Sequence, residues 1–316
     1  MRTVILGAGA TGGFLGAHLA RAGEDVVLVA RGSHLAAMRA RGVTVRSAEG
    51  EFTARPDCTD DLGVIVSADV VWLTMKAPAI PAIAPALGAN LAPEATVVSA
   101  QNGIPWWYFP DRSLEAVDPG GVIAASIPQR QVIGCVVYAA TTVVGPGVIE
   151  HIEGNRFSLG EPDGSRSERA TAIAQSLTRA GLRAPVQSRI RNEIWLKLLG
   201  NATLNPVSAL SRATLGEMVS HPAGYHLLHE LMEEVETVAR SVGIELEMSI
   251  EKRLEGAGRV GAHRTSMLQD LEAGRSLEVE ALLGSVVELG AEAGLPLPGL
   301  RTVLSLTRLL DQSNRR

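Results

Sequence analysis

Short apolar runs alternate with stretches of helical period along the first half of the chain, and beyond residue 188 the helical period stands alone. Residues 3–6, 25–30, 70–74 and 96–100 read as strands, the run at 70–74 as the third of a parallel set. Residues 12–21 and 77–91 read as helices, the second despite its prolines. Residues 43–46 and 52–55 add strands. Residues 132–141, 147–151 and 156–159 read as antiparallel hairpins turning at Gly145-Pro146-Gly147 and Glu153-Gly154-Asn155. A helix over 165–180 and a last strand at 184–187 follow, and 111–128, broken by Gly and Pro, reads as a surface excursion. Beyond lie helices over 190–210, 222–242, 248–254, 277–293 and 300–310, with room for one more at 265–270. The pattern predicts an α/β domain over 1–187 and an all-α domain over 188–316.

Two places break the apolar pattern in an informative way. In residues 190–210 (IRNEIWLKLLGNATLNPVSAL), Lys197, Asn201 and Asn205 recur every four residues. On a 3.6-residue period they form one polar stripe among leucines. By itself such a stripe is an ordinary solvated face. At the other end, Gly7-Ala8-Gly9-Ala10-Thr11-Gly12 follows a strand and opens a helix. In that setting G-x-G-x-x-G is a dinucleotide fingerprint. The first glycine allows the tight turn, the second lets a pyrophosphate reach the backbone, and the third lets helix and strand pack closely. The helix N-terminus offers free N–H groups and its positive dipole end to the phosphates.

The second strand ends in Arg31-Gly32-Ser33, where an NAD site would carry an acid for the ribose 2′-hydroxyl. A guanidinium beside a hydroxyl suits a 2′-phosphate, which favours NADPH, although Arg31 also suits a plain surface position. Lys76 and the triplet Gln101-Asn102-Gly103 fall at the carboxyl ends of strands, the edge where open parallel sheets bind ligands. The aromatic run Trp106-Trp107-Tyr108-Phe109 reads as core or subunit contact, or as a wall of the cleft.

Composition narrows the classes. The 316 residues are 46% apolar and 20% charged, with net charge −5 and no basic block. That describes a globular protein whose main partner is neither nucleic acid nor a membrane surface. No run reaches the roughly 18 apolar residues that span a bilayer. The N-terminus lacks a signal-cleavage pattern, so a cytoplasmic location is expected. Cys58 and Cys135 read as reduced thiols, and the histidines show no shared metal-ligand spacing, so no metal is expected. Lysine occurs only at positions 76, 197 and 252 against many arginines, which draws attention to Lys197. A lysine with a lowered pKa can surrender its proton, and arginine in practice cannot.

Taken together, GAGATG, the Lys76 segment, QNG, K-x-x-x-N-x-x-x-N-P and S-M-L-Q-D followed by Glu278 resemble the ketopantoate reductase (2-dehydropantoate 2-reductase) family over nearly the whole chain. The resemblance implies a Rossmann-type N-terminal domain and a helical domain like the C-terminal domain of 6-phosphogluconate dehydrogenase. It also implies NADPH as cofactor and a 2-oxo acid reduced in a cleft between the domains. Lys197 matches the family's catalytic lysine, and Glu278 its acid near the substrate. Asn102, Asn201, Asn205 and Ser266 match polar residues that contact substrate or cofactor, and Lys76 the lysine beside the cofactor. A homodimer is compatible with the family, which includes different assemblies.

The chemistry fits these residues. Hydride delivery to a ketone puts negative charge on oxygen, where a cation that can also give a proton helps. Carboxamides and a hydroxyl hold a carboxylate or hydroxyl by directed hydrogen bonds. Glu278 either holds Lys197 in place or accepts from a substrate hydroxyl. Two departures bear on the substrate: the PWWYF run after QNG differs from the usual family pattern, and where the family commonly reads I-D-x-x-N-G after the glutamate, this chain has Val279-Glu280-Ala281-Leu282-Leu283-Gly284. Leu283 replaces a usual Asn, and an apolar residue near a substrate hydroxyl would penalise it. The alternatives are therefore an NADP-dependent enzyme for another 2-oxo or 2-hydroxy acid and, from another class, a nucleotide sensor without turnover. The sensor would have no need of Lys197, Asn201, Asn205, Ser266 and Glu278 together.

Overall fold

The computed structural model describes residues 1–314, which form two compact units. The first unit comprises Met1–Gln101, Trp106–Ser113 and Gly120–Ile190. Its strands are β1 (Thr3–Leu6), β2 (Val26–Val29), β3 (Val43–Ser47), β4 (Gly50–Ala54), β5 (Asp57–Thr59), β6 (Val70–Leu73), β7 (Thr96–Ser99), β8 (Val132–Gly145) and β9 (Val148–Gly160). Helices α1 (Ala10–Arg21), α2 (Gly32–Arg41), α3 (Ile80–Asn90), α4 (Val122–Ser126) and α5 (Glu168–Arg179) accompany them.

The nine strands form one sheet in the order β4-β3-β9-β8-β7-β6-β1-β2-β5. From β5 through β8 every neighbour is parallel. Counted along the chain without the β3–β4 hairpin, those six strands follow the order 3-2-1-4-5-6 of a Rossmann fold. The strand order reverses between β1 and β6, so their carboxyl ends flank the switch point where such sheets bind ligands. Strands β1, β2, β6 and β7 are buried throughout, as expected of strands covered on both faces. Trp72 of β6 meets Phe157 of β9 edge-on at 6.2 Å between centroids, and burying each such ring stabilises by about 1.5–3 kcal/mol.

The structure differs from the sequence reading at several points. Residues 70–74 hold the fourth parallel strand; the third is β5, whose three residues are too short to show a period. The β3–β4 hairpin joins the far side of the sheet, with β3 parallel to β9. The expected turn at Glu153-Gly154-Asn155 is an irregularity within the continuous strand β9, where Gly154 has φ +70°. Residues 184–187 make a single isolated bridge to β9, from Val186 to Leu159, and a second starts just before them at Arg183. Trp106, Trp107 and Tyr108 of this unit are buried, so these three are core, while Phe109 is half-buried.

The second unit comprises Asn102–Pro105, Leu114–Pro119 and the chain from Arg191 onward. The stretch read as a surface excursion thus contributes to a core: Leu114, Val117 and Asp118 are buried. Helices here are α6 (Ile190–Asn201, its first residue in the other unit), α7 (Leu204–Ser211), α8 (Leu215–Ser220), α9 (Pro222–Ser241), α10 (Ile250–Val260), α11 (Ser266–Glu272), α12 (Ser285–Glu292) and α13 (Pro298–Asn314). A π-helical turn, Glu280–Gly284, leads into α12. The Glu288 carboxylate of α12 accepts from the backbone N–H of Glu115 and Ala116, both at 2.8 Å. Glu234 of α9 likewise accepts from Gly299 and Leu300 at the start of α13, satisfying N–H groups that a helix start leaves open. Among the described residues no strand lies in this unit, and no helix is long and apolar enough to cross a membrane.

Residues 190–210 do not form the single helix that the stripe presumed. The chain breaks at Ala202-Thr203, because Pro206 has no N–H to give and its ring would crowd the Ala202 carbonyl. Restarting at Leu204 puts Pro206 in the first turn of α7, where a missing donor costs little. Lys197 and Asn201 stay on one face of α6, while Asn205 belongs to α7.

Candidate active site

In the first unit the glycine turn follows β1 at the switch point. Gly7 has φ +93°, and a Cβ there would come within 2.7–2.9 Å of the Met75 backbone. At Gly12 a Cβ would strike the Gly7 carbonyl and Thr74 Oγ1. The turn is also clamped: Thr74 Oγ1 donates to the carbonyls of Leu6 and Gly7 at 3.1 and 2.9 Å. The middle glycine is different. Gly9 is exposed, and a Cβ there would meet nothing nearer than 4.0 Å. It begins α1 with no side chain capping the first turn, so the N–H groups there have no side-chain acceptor. Walls that exclude a Cβ around an open, uncapped helix start fit a bound pyrophosphate.

Ala8 is buried, and Ala10 and Thr11 occupy the half-exposed first turn. Arg31, the residue before α2, is exposed, and its guanidinium has no hydrogen-bond partner among the described residues. Lys76 is half-buried just beyond β6. Gln101 fixes that strand end: its Nε2 donates to the Leu73 carbonyl at 2.6 Å while its Oε1 accepts from Ser99 at 2.8 Å. Thr74 carries no motif that a sequence reading could have used.

In the second unit Lys197, Asn102 and Glu278 form a chain of contacts. Lys197 Nζ donates to Asn102 Oδ1 at 2.7 Å, and Asn102 Nδ2 donates to Glu278 Oε2 at 3.3 Å. The ammonium can only donate and the ionised carboxylate only accept, so the amide orientation is fixed from both sides. Asn102 therefore aims the ammonium, and Glu278 aims Asn102. All three side chains are half-buried.

Local backbone geometry brings them together. In the π-turn Ser285 N–H reaches the Glu280 carbonyl, five residues back, where a regular α-helix would use Ala281. The Ala281 carbonyl accepts the Ile104 N–H at 3.2 Å and the Ser285 hydroxyl at 2.9 Å. The chain thus presents Glu278 two residues before the turn, and the turn anchors the segment bearing Asn102. Gly103, with φ +87°, is required there, since a Cβ would collide with the Ala281 carbonyl. Glu280 forms a forked pair with Arg308 of α13 at 2.6 and 2.7 Å, and this raises the Arg308 pKa. A backbone carbonyl leaves no mark in sequence, so neither this anchor nor the π-turn was readable.

The remaining expected site residues are placed more loosely. Asn201 is half-buried and Asn205 buried, and neither side chain hydrogen-bonds among the described residues. Ser266 is exposed in the first turn of α11, after its capping residue Thr265, and α11 packs on α7. Leu283 is fully buried within the π-turn. Among the described residues no group of three or more His, Cys, Asp and Glu could hold a metal ion.

Residues 3–164 match the family described as ketopantoate reductase PanE/ApbA, and residues 189–311 match its C-terminal counterpart. The chain belongs to the ketopantoate reductase family. A relative from Mesorhizobium japonicum, named 2-dehydropantoate 2-reductase, is 45% identical over 98% of each chain. The solved structure of a PanE/ApbA family ketopantoate reductase from Ralstonia eutropha JMP134 is similar at a TM-score of 0.88 and 27% identity, covering 100% of both chains. A D-mandelate dehydrogenase solved with NADH and anilino(oxo)acetate shares the fold at a TM-score of 0.86 but only 20% identity, again over 100% of both chains. Like other ketopantoate reductases, this chain pairs a Rossmann-like sheet with a helical C-terminal region.

Proposed function

We propose that the protein is an oxidoreductase that reduces 2-dehydropantoate to pantoate with NADPH, serving pantothenate synthesis. Family membership supports this reading, and one observation carries its chemistry: Lys197 Nζ is held 2.7 Å from Asn102 Oδ1, with Asn102 in turn on Glu278. Bound NADPH supplies a hydride to the carbonyl carbon. Lys197 meets the charge that builds on the carbonyl oxygen and gives it a proton, so a C–H and an O–H bond form while the C=O π bond is lost. The neutral amine then regains its proton from solvent. Asn102 orients the ammonium, so the donor does not have to search for its direction during the reaction. Asn201, Asn205 and Ser266 bind the substrate's carboxylate and hydroxyl groups.

Gly7, Ala8, Gly9, Ala10, Thr11 and Gly12 hold the pyrophosphate, with Lys76 and Asn102 beside the cofactor. Arg31 holds the 2′-phosphate, which makes NADPH the preferred cofactor over NADH. The 1–187 segment, apart from residues 102–105 and 114–119 that belong with the helical unit, is the nucleotide domain, and 188–316 carries Lys197, Asn201, Asn205, Ser266 and Glu278 and the contacts of a homodimer. Leu283 does not argue for another substrate, since it is fully buried and its role is packing. The protein acts in the cytoplasm.

The test is oxidation of NADPH followed with 2-dehydropantoate and a panel of 2-oxo acids, an aromatic one included. The highest kcat/KM is expected for 2-dehydropantoate. A higher value for another acid would reassign the substrate, and no ketone-dependent oxidation would overturn the reductase reading altogether.

A further inference from the structure

His34 lies on α2, three residues after Arg31, and both of its ring nitrogens are engaged. Nε2 donates to the Ala8 carbonyl at 2.8 Å, and Nδ1 accepts from the Gly147 N–H at 3.0 Å. A carbonyl can only accept and an amide N–H only donate, so the ring is neutral with its proton on Nε2. One imidazole thus ties together the glycine turn after β1, the first turn of α2 and the turn between β8 and β9. The last anchor is itself fixed, because the Gly147 carbonyl accepts from Thr44 N–H of β3 at 2.9 Å.

The bond falls on a sensitive peptide. The Ala8 carbonyl and the Gly9 N–H share one rigid plane. The N–H side donates to the Gly7 carbonyl at 2.7 Å, and that carbonyl is the one held by Thr74 Oγ1 at 2.9 Å. The carbonyl side is held by His34. With both edges fixed, the plane cannot rotate, and its angle sets how the chain enters the uncapped first turn of α1. Ala8 is 2% exposed, so without His34 its carbonyl would face a buried gap or turn away, taking Gly9 with it.

We propose that His34 is a positioning residue for the dinucleotide's pyrophosphate, acting through the Ala8–Gly9 peptide. The inference rests on the cofactor reading above. Because the pyrophosphate is common to NADPH and NADH, His34 governs the affinity for both alike, in contrast to Arg31, whose contact is with the 2′-phosphate alone. It does not touch the reacting atoms, so the chemical step is untouched once the cofactor is bound.

The test is direct titration of the full chain with NADPH and with NADH, read by calorimetry, alongside kcat at saturating NADPH and a thermal unfolding curve. His34→Ala is expected to weaken both cofactors by the same factor, roughly tenfold, the scale of losing one well-placed hydrogen bond, with kcat retained. His34→Gln, whose amide nitrogen sits near the position of Nε2, should recover most of that affinity. His34→Asn, too short for the Ala8 carbonyl but able to accept from Gly147, should bind as weakly as His34→Ala. Wild-type affinity in the folded Ala or Asn variant would overturn the proposal, and so would a loss confined to NADPH or a fall in kcat with affinity unchanged. If the wild-type chain bound neither dinucleotide, the cofactor reading itself would fall.

Discussion

The two halves of the proposed chemistry are built from different materials. In the first unit the binding element is mostly backbone: a turn whose carbonyls are clamped by Thr74 and His34 and whose open edge is an uncapped helix start. In the second unit it is side chain: an ammonium, a carboxamide and a carboxylate drawn from residues 197, 102 and 278. A pyrophosphate is an extended anion that many weak dipoles can share. A proton transfer happens at one atom and needs one donor aimed at it. The division of materials follows the division of tasks, and substitution should therefore hurt the two regions differently.

The sharpest break in that comparison is Lys197→Ala. Loss of general acid help lowers kcat by roughly 10²–10⁴, while NADPH affinity by calorimetry stays at the wild-type level. Turnover near normal would remove Lys197 from its role. Gly103→Ala tests whether backbone geometry also governs the side-chain cluster. The new Cβ collides with the Ala281 carbonyl at a φ of +87°, so a loss of about 1–3 kcal/mol in stability should accompany a larger fall in kcat than in NADPH affinity. A variant with wild-type melting temperature and kcat would show that the Asn102 segment does not depend on that packing.

Arg31→Ala probes the backbone-built side at the residue proposed to meet the 2′-phosphate. The ratio of kcat/KM for NADPH over NADH should fall by about tenfold, the scale of a hydrogen bond to a charged group, with Lys197-dependent chemistry unchanged. An unaltered ratio would return Arg31 to the role of a plain surface charge. The smallest effect expected is on pH stability, through His18 of α1. Burial lowers its pKa from the usual 6.5, while its Nδ1 is hydrogen-bonded to the Ala180 carbonyl at 3.1 Å. A base with a depressed folded-state pKa stays neutral in the fold, so its contribution is complete above pH 6.5 and is lost as pH falls through the window below it. Thermal unfolding should show that slope in wild type and a weaker one in His18→Gln; equal slopes would assign acid sensitivity elsewhere.

How much of this was readable from sequence follows the same division. The glycine turn is contiguous, so Gly7, Gly9 and Gly12 announced both the strand before them and the helix after them. The parallel strands β1, β2, β6 and β7 were legible because each is short, buried throughout and built around consecutive apolar residues with at most Thr or Ser at its ends. Strand β5 was not, for three residues with one apolar side chain carry no period. Lys197 drew notice through its stripe and through the scarcity of lysine, but its role, and Glu278 altogether, could be named only through a resemblance spanning distant motifs, since nothing local distinguishes Glu278 from a surface acid. Their link through Asn102 was invisible for a further reason: it depends on residues 102–105 leaving the sheet unit for the helical one. The stripe on residues 190–210 was read as one helix because period alone does not register the restart that Pro206 imposes.

The π-turn at Glu280–Gly284 bears on how this family can vary in length. A helix advances about 1.5 Å and turns about 100° with each residue, and a π-turn holds one residue more than the ladder needs. Deleting a single residue between Ala281 and Leu283 would let the helix close regularly from Val279 into α12. Every side chain upstream of the deletion would then swing by about a third of a turn relative to α12. Glu278 would leave Asn102, and the surplus carbonyl that receives Ile104 would cease to exist. The extra residue is thus a register key, and homologous chains that keep the same cluster should keep their length across this short interval even where its letters change.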